Sequence, residues 1–507
     1  MTDYWLGIDI GTSGCKVIAI DDRAHVVATS LTEYPRYTQR PGWSEQDPAD
    51  WWQATCVSVR EVTARLPDPG EVRGIGLCGQ MHGLTALDRA DAVVRPAILW
   101  NDQRNERQCR AIVETVGGPE ALLGLTNNQM LPGFTAGKIL WLRDHEPESF
   151  RRMHRFLNPK DFLRLRMTGD HATDVSDASG TGLFDVRRRV WSAGLIAAID
   201  LPERLFPRVV ESHEVTGALL PEVAKDWGVP AGLPVVGGGG DAVLQTTAMG
   251  VTGGSRLGIT LGTAGIVAGA TDQCPDNRGG LLQISCGNAA DRWHVMGVAL
   301  NTGGAFHWLR GALAPLAGDS ELSYARLVEL AEAAPPGARG LLFLPYLLGE
   351  RCPHVAPDAR GAWIGLTPQH GAAELVRSVM EGVLFNMRQI VDLCAAADLG
   401  MDEIRVSGGA TGERQWLRLL ADILNSPVST VAGGEQGGAL GAALLAGIGT
   451  GRWKTLHDAT GVIGTATTVR PRAETSAVYQ DVYQDFCSLF DHLDPLFARQ
   501  RQKHEEK

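Results

Sequence analysis

The chain has 507 residues, of which 44% are hydrophobic and 21% are charged, values close to those of average globular proteins. They exclude a disordered, collagen-like or coiled-coil chain, and the length predicts two domains. Lys and Arg total 47 against 58 Asp and Glu, so the formal net charge is −11, and the sequence has no long basic run. We therefore expect neither nucleic acid nor a membrane among its partners.

Cysteine usage and the N-terminus indicate the compartment. The nine cysteines are scattered singly, without a CxxC pair or a zinc-type spacing, which is typical of reduced cytoplasmic thiols. The N-terminus carries Asp3 and lacks the order of a signal peptide, and the small apolar run 437–450 is too short to span a bilayer, so we interpret it as a buried helix. We predict a cytoplasmic protein, for which a homodimer is a possible assembly.

The first half of the chain reads as alternating strands and helices. In chain order the predicted elements are strands at 5–10, 16–20 and 25–31, a helix at 48–65, strands at 74–78, 84–87 and 97–100, and helices within 105–150. Near the middle, the strand 234–236 runs into four glycines and Asp241, after which 242–249 is predicted to be helical.

The strand–turn–strand pattern of the first 20 residues then occurs a second time. Residues 258–265 match residues 7–14 at most positions, and both segments have a strand, a Gly-Thr turn and a second strand. We therefore predict two α/β lobes of related fold around a central cleft, with domains at 1–244 and 245–507. The later predicted elements are helices at 373–399, 413–424 and 437–446, strands at 404–406 and 428–431, and a closing helix at 473–501, for which packing on the first lobe is one option.

The two Gly-Thr turns are candidate phosphate sites. Glycine lets the backbone approach a ligand closely, and successive N–H groups with the Thr hydroxyl can surround phosphate oxygens. A single turn of this kind, either Gly11-Thr12-Ser13 or Gly262-Thr263, is more typical of an ordinary hairpin. Two copies, one opening each lobe, favour a pair of phosphate-binding turns.

Two aspartates are the candidate catalytic and magnesium-binding carboxylates. Asp9 ends an apolar strand before the first turn, so it either caps that turn or faces a cation such as Mg²⁺. Asp241 starts a helix at the lobe junction, where it either caps the helix N-terminus or acts as the base of a reaction. From the residues alone an N-cap is the simpler interpretation of Asp241, and Asp9 and Asp241 are both candidate metal ligands.

Short polar segments at strand or helix ends in the first lobe are candidate sugar contacts. A polyol needs convergent hydrogen-bonding groups beside an apolar face. The alternative is that the same side chains are satisfied in the core. The candidate substrate-binding residues are Met81, His82, Trp100, Asn101, Asp102 and Asp241, and Gln80 and Lys160-Asp161 belong to the same polar segments.

Two nucleotide motifs are excluded. Residues 74–79 match GxGxxG, but this segment leads from one strand to another and does not open a βαβ unit. The sequence contains no GxxxxGK[ST], so any ATP is bound without a P-loop. Cys352 beside Arg351 has no positioned His and acid partner in the sequence, and we interpret it as an incidental thiol.

Nearly the whole chain resembles the FGGY family of carbohydrate kinases. Residues 133–145 and 361–381 fit the two long signatures of that family. Further motifs resemble the members that phosphorylate xylulose, and these are Trp43 to Pro48, Gly79 to Gly83, Leu99 to Asp102, Pro159 to Asp161 and Ser176 to Gly180.

The resemblance implies an actin-like, ribonuclease-H-like fold in two lobes that close on ATP and sugar. It implies that Met81 and His82 bind the sugar, that Asp241 is the base, and that Asp9 lies near Mg²⁺. The implied reaction converts D-xylulose to D-xylulose 5-phosphate. The implied nucleotide-binding residues are Gly11, Thr12, Ser13, Gly262, Thr263, Gly408, Gly409 and Ala410, with Gln436 in the segment that opens the neighbouring helix.

Two positions depart from the pattern. Ala242 follows Asp241, where the xylulose-phosphorylating members have Asn and glycerol kinases have Gln, and Gln103 replaces a Gly. Alternative substrates are therefore another ketopentose, a pentitol or a tetritol. The alternatives of another class are an actin-like ATPase and a sugar sensor without transfer activity.

Overall fold

The computed structural model describes residues 2–315 and 322–505, and the chain forms two compact units. The first unit combines Met1–Gly253, Ala270–His294 and Gly433–Gly464. The second combines Gly254–Gly269, Val295–Ala432 and Thr465–Lys507. Each unit is therefore assembled from three separate segments of the sequence.

The elements alternate along the chain as an α/β protein requires. The strands are β1 (Tyr4–Ile10), β2 (Gly14–Ile20), β3 (Val26–Glu33), β4 (Glu45–Gln46), β5 (Val72–Gly79), β6 (Thr85–Leu87), β7 (Ala97–Ile98), β8 (Arg155–Leu157), β9 (Ala172–Asp174), β10 (Phe184–Asp185), β11 (Val190–Trp191), β12 (Arg208–Val210), β13 (Val215–Ala218), β14 (Pro234–Val236), β15 (Gly239–Gly240), β16 (Arg256–Leu261), β17 (Gly265–Thr271), β18 (Gln283–Cys286), β19 (Trp293–Ala299), β20 (Leu342–Leu344), β21 (Ala362–Ile364), β22 (Glu403–Ser407), β23 (Val428–Val431) and β24 (Thr465–Val469).

The helices complete the layers on these sheets. They are α1 (Pro48–Thr63), α2 (Glu106–Thr115), α3 (Pro119–Thr126), α4 (Thr135–His145), α5 (Pro147–Arg152), α6 (Pro159–Thr168), α7 (Val175–Ser179), α8 (Ala193–Ala198), α9 (Pro221–Trp227), α10 (Asp241–Ala248), α11 (Gly303–Leu313), α12 (Tyr324–Ala333), α13 (Ala372–Ala396), α14 (Arg414–Leu424), α15 (Gly438–Gly449), α16 (Leu456–Gly461) and α17 (Ala473–Glu505). The closing helix α17 packs on α13 and α14 within the second unit.

The two units repeat one sheet topology. In the first unit the strand order is β13-β14-β5-β1-β2-β3, with β1 antiparallel to β2 and parallel to β5. In the second unit the order is β24-β23-β22-β16-β17-β19, with β16 antiparallel to β17 and parallel to β22. Each Gly-Thr turn joins the equivalent antiparallel pair. The α/β fold with two related lobes, predicted from the repeated turn, is confirmed.

The central strand β1 is buried on both faces, as its almost unbroken apolar sequence predicts. Helix α15 covers one face of this strand and contacts β1, β5 and α10. This helix is apolar all round, with the residues from Gly438 to Gly447 buried, so the buried helix predicted for that run is observed. Helix and sheet approach closely because glycines face the helix. A methyl group added to Gly7 would lie 2.0 Å from the carbonyl oxygen of Ala439. One added to Gly76 would lie 1.9 Å from the carbonyl oxygen of Ala442.

We expect Gly76→Ala to lower the midpoint of thermal unfolding, because the added methyl group forces α15 away from β5. Overpacking of this kind costs on the order of 1–3 kcal/mol. Scanning calorimetry of the unliganded protein measures the shift. Gly124→Ala, within α3, is the matched control, because none of the described atoms lies within 4 Å of the added methyl group. Alanine favours helix over glycine by about 1 kcal/mol, so this variant should be more stable. Equal midpoints for the two variants would contradict the prediction.

Candidate functional site

Asp241 is the first residue of α10 and directly follows β15. Gly240 pairs in parallel with Gly79 at the end of β5, which brings the helix start to the edge where β5 ends. Oδ1 of Asp241 accepts a hydrogen bond of 2.8 Å from the amide of Ala242, while the residue keeps some solvent exposure. The carboxylate therefore belongs to a helix N-terminus and is still accessible to a ligand.

Met81 and His82 lie in the loop that follows β5. A methyl group on Gly240 would lie 2.5 Å from Cγ of Met81, so this side chain packs directly on the residue before Asp241. His82 adopts a left-handed backbone with φ of 68°, and its ring stacks on Phe134 with 4.7 Å between centroids. The structure thus brings the predicted substrate residue Met81 beside the predicted base.

Lys138 holds the strained turn at His82, a role that sequence reasoning missed. Its Nζ donates to the carbonyl oxygens of His82 at 2.8 Å and Gly133 at 2.6 Å, and the hydroxyl of Thr135 donates to the same His82 oxygen at 3.1 Å. Burial lowers the pKa of Lys138 to about 7, against the opposing effect of Asp102. Both donors lie within residues 133–145, and the buried Lys138 is a loop anchor rather than an exposed charge.

The carboxyl groups of Asp9 and Asp241 repel each other at this edge of the sheet when both are ionised. Burial raises the pKa of Asp241 to about 7, the charge of Asp9 adds to that rise, and the amides of Ala242 and Met81 counteract it. Burial also raises the pKa of Asp9, while Cys78 and Lys16 counteract the rise. Like charges disfavour joint ionisation. A cation or a proton at this position would relieve the repulsion.

Asp9 and Asp241 together have the donor chemistry of a magnesium site. Oδ1 of Asp9 is buried and has no hydrogen-bond partner among the described residues. Mg²⁺ typically takes one or two carboxylates and keeps several waters, so Asp9 with Asp241 fits this ion. Within residues 2–315 and 322–505, no group of three or more His, Cys, Asp or Glu side chains could enclose a metal by itself. The donor set therefore suits an ion that arrives with its own ligands.

The first Gly-Thr turn is held by amide and indole groups. Gln46 Nε2 donates to the carbonyl oxygen of Thr12 at 2.8 Å, and Gln80 Nε2 donates to the carbonyl oxygen of Gly11 at 3.3 Å. The indole of Trp100 donates to the Thr12 hydroxyl at 2.9 Å. Trp100 is 45% exposed, so this predicted substrate residue covers the turn rather than filling the core. The carbonyl oxygen of Ser13 accepts a hydrogen bond of 3.3 Å from the amide of Tyr34, the residue after β3.

Asn101 and Asp102 differ in what their side chains can still bind. Both carboxylate oxygens of the fully buried Asp102 accept hydrogen bonds from Arg104, at 2.9 and 2.7 Å, and Oδ2 also accepts from the amide of Ser44 at 2.6 Å. In contrast, Oδ1 of Asn101 is buried and lacks a partner within the described chain. Asn101 therefore has acceptor capacity available for a ligand, whereas Asp102 is engaged in an ion pair.

The second unit contains a cavity of about 760 Å³ with a mostly apolar wall. Phe306 contacts Trp416 edge to face at 5.3 Å and stacks on Tyr324 at 5.9 Å between centroids. Such a wall suits a flat ring system. The cavity is lined by Leu261, Gly262, Thr263, Gly303, Gly304, Phe306, His307, Tyr324, Val328, Gly409, Ala410, Glu413 and Trp416. Four predicted nucleotide-binding residues are among them, and sequence reasoning missed the aromatic ones.

The second Gly-Thr turn is tied to the start of α11. The amide of Gly303 donates to the carbonyl oxygen of Gly262 at 2.8 Å, and that of Gly304 donates to the carbonyl oxygen of Thr263 at 3.0 Å. Gly408 has φ of 100°, and a methyl group there would lie 2.4 Å from the carbonyl oxygen of Leu261. The cavity thus ends beside the N-terminus of α11, whose first two amides are used by the turn, so any preference for anionic groups there comes from the helix dipole.

Gln436 lies in the first unit, unlike Gly262, Thr263 and Gly408 to Ala410. It ends a short 3-10 turn, Gly434–Gln436, just before α15, and its side chain contacts Glu435. Lys16 Nζ donates to the carbonyl oxygen of Glu435 at 3.0 Å, so this turn is fixed to β2. The two groups of predicted nucleotide-binding residues therefore belong to different compact units.

The excluded dinucleotide motif is part of a strand. Residues 74–79 lie within β5, and the next element is β6 rather than a helix, as expected from the sequence. None of the helices within the described ranges is long and apolar enough to cross a membrane.

Both halves of the chain match one family of enzymes. Residues 4–250 match the N-terminal domain, and residues 257–450 the C-terminal domain, of the FGGY family of carbohydrate kinases. The xylulose kinase of Escherichia coli strain K12 is 40% identical over 496 residues, covering 97% of this chain and all of that protein. The xylulose kinase of Bacillus subtilis strain 168 is 35% identical over 495 residues, covering 97% of this chain and 98% of that protein. The crystal structure of xylulose kinase from Rhodospirillum rubrum superposes with a TM-score of 0.89 at 30% identity, covering 98% of this chain and all of that chain.

We expect Asp241→Asn to stabilise the unliganded protein in a pH-dependent way. The folded carboxyl has a pKa of about 7 against an ordinary value of 3.8, so folding retains a proton that the unfolded chain releases between these values. Stability therefore falls as pH rises through this window, and the loss is complete above about pH 7. The variant removes the loss, on the order of 2 kcal/mol after allowance for partial exposure.

Thermal unfolding at about pH 5 and about pH 8 measures this effect. Asp241→Asn should raise the midpoint more at the higher pH. Asp402→Asn changes an exposed carboxylate and should shift the midpoint little at either pH. A midpoint difference for Asp241→Asn that does not grow with pH would show that the carboxyl is not destabilised by ionisation.

Proposed function

We propose, on the premise that this chain belongs to the FGGY family of carbohydrate kinases, that it transfers the γ-phosphoryl group of ATP to D-xylulose and forms D-xylulose 5-phosphate. The observation that carries the mechanism is Asp241, an accessible carboxylate with a pKa of about 7 that lies beside Met81 at the start of a helix. Full-length similarity to proteins named xylulose kinase supports the choice of substrate.

In the proposed reaction Asp241 accepts the proton of the attacking sugar hydroxyl. The new bond joins that oxygen to the γ-phosphorus, the bond to the β,γ-bridging oxygen breaks, and ADP leaves with the electron pair. A base with a pKa near the working pH combines a useful ionised fraction with sufficient basicity. Met81, His82 and Asn101 are the side chains that we assign to sugar binding, together with Trp100 and Asp102 as the supports of that surface.

The second unit is proposed to bind ATP. Its apolar cavity suits the adenine ring, and Gly262-Thr263, which contacts the start of α11, is proposed to lie beside the phosphates, because the positive end of a helix dipole favours anions. Gly408, Gly409 and Ala410 would line the nucleotide. Gly11-Thr12-Ser13 and Gln436 of the first unit are proposed as further phosphate contacts.

Magnesium is part of the proposal. Asp9 and Asp241 would hold the ion, which neutralises charge on the phosphoryl oxygens when bound. The unpartnered Oδ1 of Asp9 supports this assignment. We also propose that the enzyme acts in the cytoplasm, because its described cysteines are all free thiols and most of them are buried. A homodimer is a possible assembly.

A second candidate substrate class follows from Ala242. This residue is partly exposed beside Asp241 and has only a methyl group, so it cannot donate to a sugar hydroxyl through its side chain. Another ketopentose, a pentitol or a tetritol is therefore the alternative. An ADP-release assay with D-xylulose, D-ribulose, L-ribulose, xylitol, ribitol and erythritol separates the two proposals, since the highest kcat/KM identifies the substrate. ATP hydrolysis without any sugar would favour an actin-like ATPase, and sugar binding without transfer would favour a sensor.

We expect Asp241→Ala to bind the sugar and to lose transfer. Removal of a positioned general base lowers kcat by about 10²- to 10⁴-fold. Sugar binding is measured by calorimetry, and turnover by coupled ADP release. In the unchanged protein, kcat/KM for the sugar should rise with pH up to about 7, where Asp241 becomes ionised, and then level off. Near-full turnover of the alanine variant would refute the assignment of the base.

We expect Gly409→Leu to weaken ATP binding. Gly409 lines the cavity, and none of the described atoms lies within 4 Å of a methyl group placed on it, so a larger side chain can extend into the cavity without disturbing the fold. The KM for ATP should rise by about tenfold or more, as expected when a buried apolar contact surface is lost, while the sugar dissociation constant stays the same.

The matched control is Gly412→Leu. Gly412 ends the same 3-10 turn, Gly409–Gly412, and also has open space around it, but it does not line the cavity. Its KM for ATP should stay close to that of the unchanged protein. Equal KM values for the two leucine variants would count against ATP binding in this cavity.

A further inference from the structure

The run of four glycines before Asp241 has no side chains with which to define its own conformation. It is shaped by close contacts instead. Gly238 has φ of 72°, and a methyl group on it would lie 2.0 Å from the carbonyl oxygen of Leu77. Since glycine is the most flexible residue, such a segment stays in one conformation only if its surroundings hold it. The position of Asp241 thus depends on residues outside its own loop.

Polar groups hold the run at both ends. At its start, the guanidinium of Arg164 donates to the carbonyl oxygens of Val236 at 3.2 Å and Gly237 at 2.5 Å. At its end, the amide of Gly240 donates to the hydroxyl oxygen of Ser176 at 3.1 Å. Ser176 is fully buried in α7, so water does not compete for this bond. Gly240 is the residue directly before Asp241.

Behind these anchors lies a cluster of five charged side chains, all with 0% exposure. Lys160 Nζ lies 2.5 Å from Asp161, 3.0 Å from Asp174 and 3.3 Å from Asp177. Arg164 lies 3.1 Å from the same oxygen of Asp161. Burial raises the pKa of Asp177 well above its ordinary range. This shift favours the neutral form of Asp177, which lessens the repulsion among the three clustered carboxyl groups.

Asp174 connects this cluster to Ser176. Its Oδ2 accepts from the Ser176 hydroxyl at 2.6 Å and from the Ser176 amide at 2.8 Å, while its Oδ1 faces Lys160. A hydroxyl has one proton to donate. Because that proton is given to Oδ2 of Asp174, the lone pairs of the Ser176 oxygen are left to accept from the amide of Gly240. The charge of Lys160 thereby fixes the direction of a hydrogen bond at the catalytic loop.

We propose that Ser176 is a positioning residue for Asp241, and that the buried Lys160–Asp174 pair orients its hydroxyl for this purpose. The inference rests on the proposed function, since it assumes that Asp241 is the base. Ser176 does not contact the substrate in this proposal. It acts through the backbone of Gly240, and its loss should reduce the rate of transfer without removing any binding group.

The test compares two buried serines of the same helix. Ser176→Ala releases the amide of Gly240, and Ser179→Ala releases the amide of Cys286, which donates to the Ser179 hydroxyl at 3.0 Å. Both variants delete one buried hydroxyl that accepts from a backbone amide of another segment. Their thermal midpoints should fall by similar amounts. Only Ser176→Ala should lower kcat, by about ten- to a hundredfold, with the KM for ATP unchanged, because misplacement of a reacting group costs rate.

Ser176→Cys gives a graded check and carries the test if the alanine variant does not fold. Sulfur is a weaker acceptor than oxygen, so its kcat should lie between those of the serine and alanine proteins. Equal kcat losses for Ser176→Ala and Ser179→Ala, or no loss for Ser176→Cys and Ser176→Ala, would overturn the inference. Asp241→Ala, assayed alongside, separates this result from a failure of the proposed function: if it is inactive while Ser176→Ala is fully active, only the positioning role is wrong.

Discussion

The proposed chemistry depends on a carboxylate that burial and a neighbouring negative charge both push toward its protonated form. Asp241 receives backbone hydrogen bonds from Ala242 and Met81, and these limit the rise of its pKa to about 7. A carboxylate in water would be a much weaker base, and one in a fully apolar environment would stay protonated. The folded protein therefore accepts a local loss of stability where it needs a base, a common compromise at reactive sites.

The repeated sheet explains where the candidate residues lie. In each unit a strand with its antiparallel partner presents a Gly-Thr turn, and a parallel strand ends close by. In the first unit the parallel strand β5 leads into Met81 and His82, and in the second β22 leads into Gly408 to Ala410. In the proposed function, one topology serves two ligand classes, because the loops at equivalent strand ends carry different side chains.

Much of this could be predicted from the sequence. The strand pattern and the repeated turn predicted the duplicated α/β fold, and the motifs indicated Asp241, Met81 and the second turn. Lys138 could be recognised only as part of a signature, since its role depends on the carbonyl oxygens of His82 and Gly133, which the fold brings to it. The aromatic cavity wall gave no local signal either, because Phe306 and Trp416 are 110 residues apart in the sequence and meet only in the folded unit.

The charged cluster was beyond sequence reasoning for a related reason. The sequence indicates Lys160-Asp161 only as a polar segment of the first lobe. The other partners of Lys160, Asp174 and Asp177, come from a different strand and helix. Whether a charge is solvated or buried is decided by tertiary packing rather than by its neighbours in the chain. The same holds for Asp102, whose engagement with Arg104 and Ser44 shows a side chain used by the fold itself.

The discontinuous first unit has a consequence for synthesis on the ribosome. Helix α15, which covers Gly7 and Gly76 on the first sheet, begins at residue 438, whereas β1 and β5 end at residues 10 and 79. At translation rates of roughly 5–20 residues per second, more than ten seconds separate the sheet from its cover. During that interval the strands around Gly7 and Gly76 lack the helix that covers them in the folded unit. Chaperone demand should therefore depend on the number of residues between β5 and α15, which come from both units.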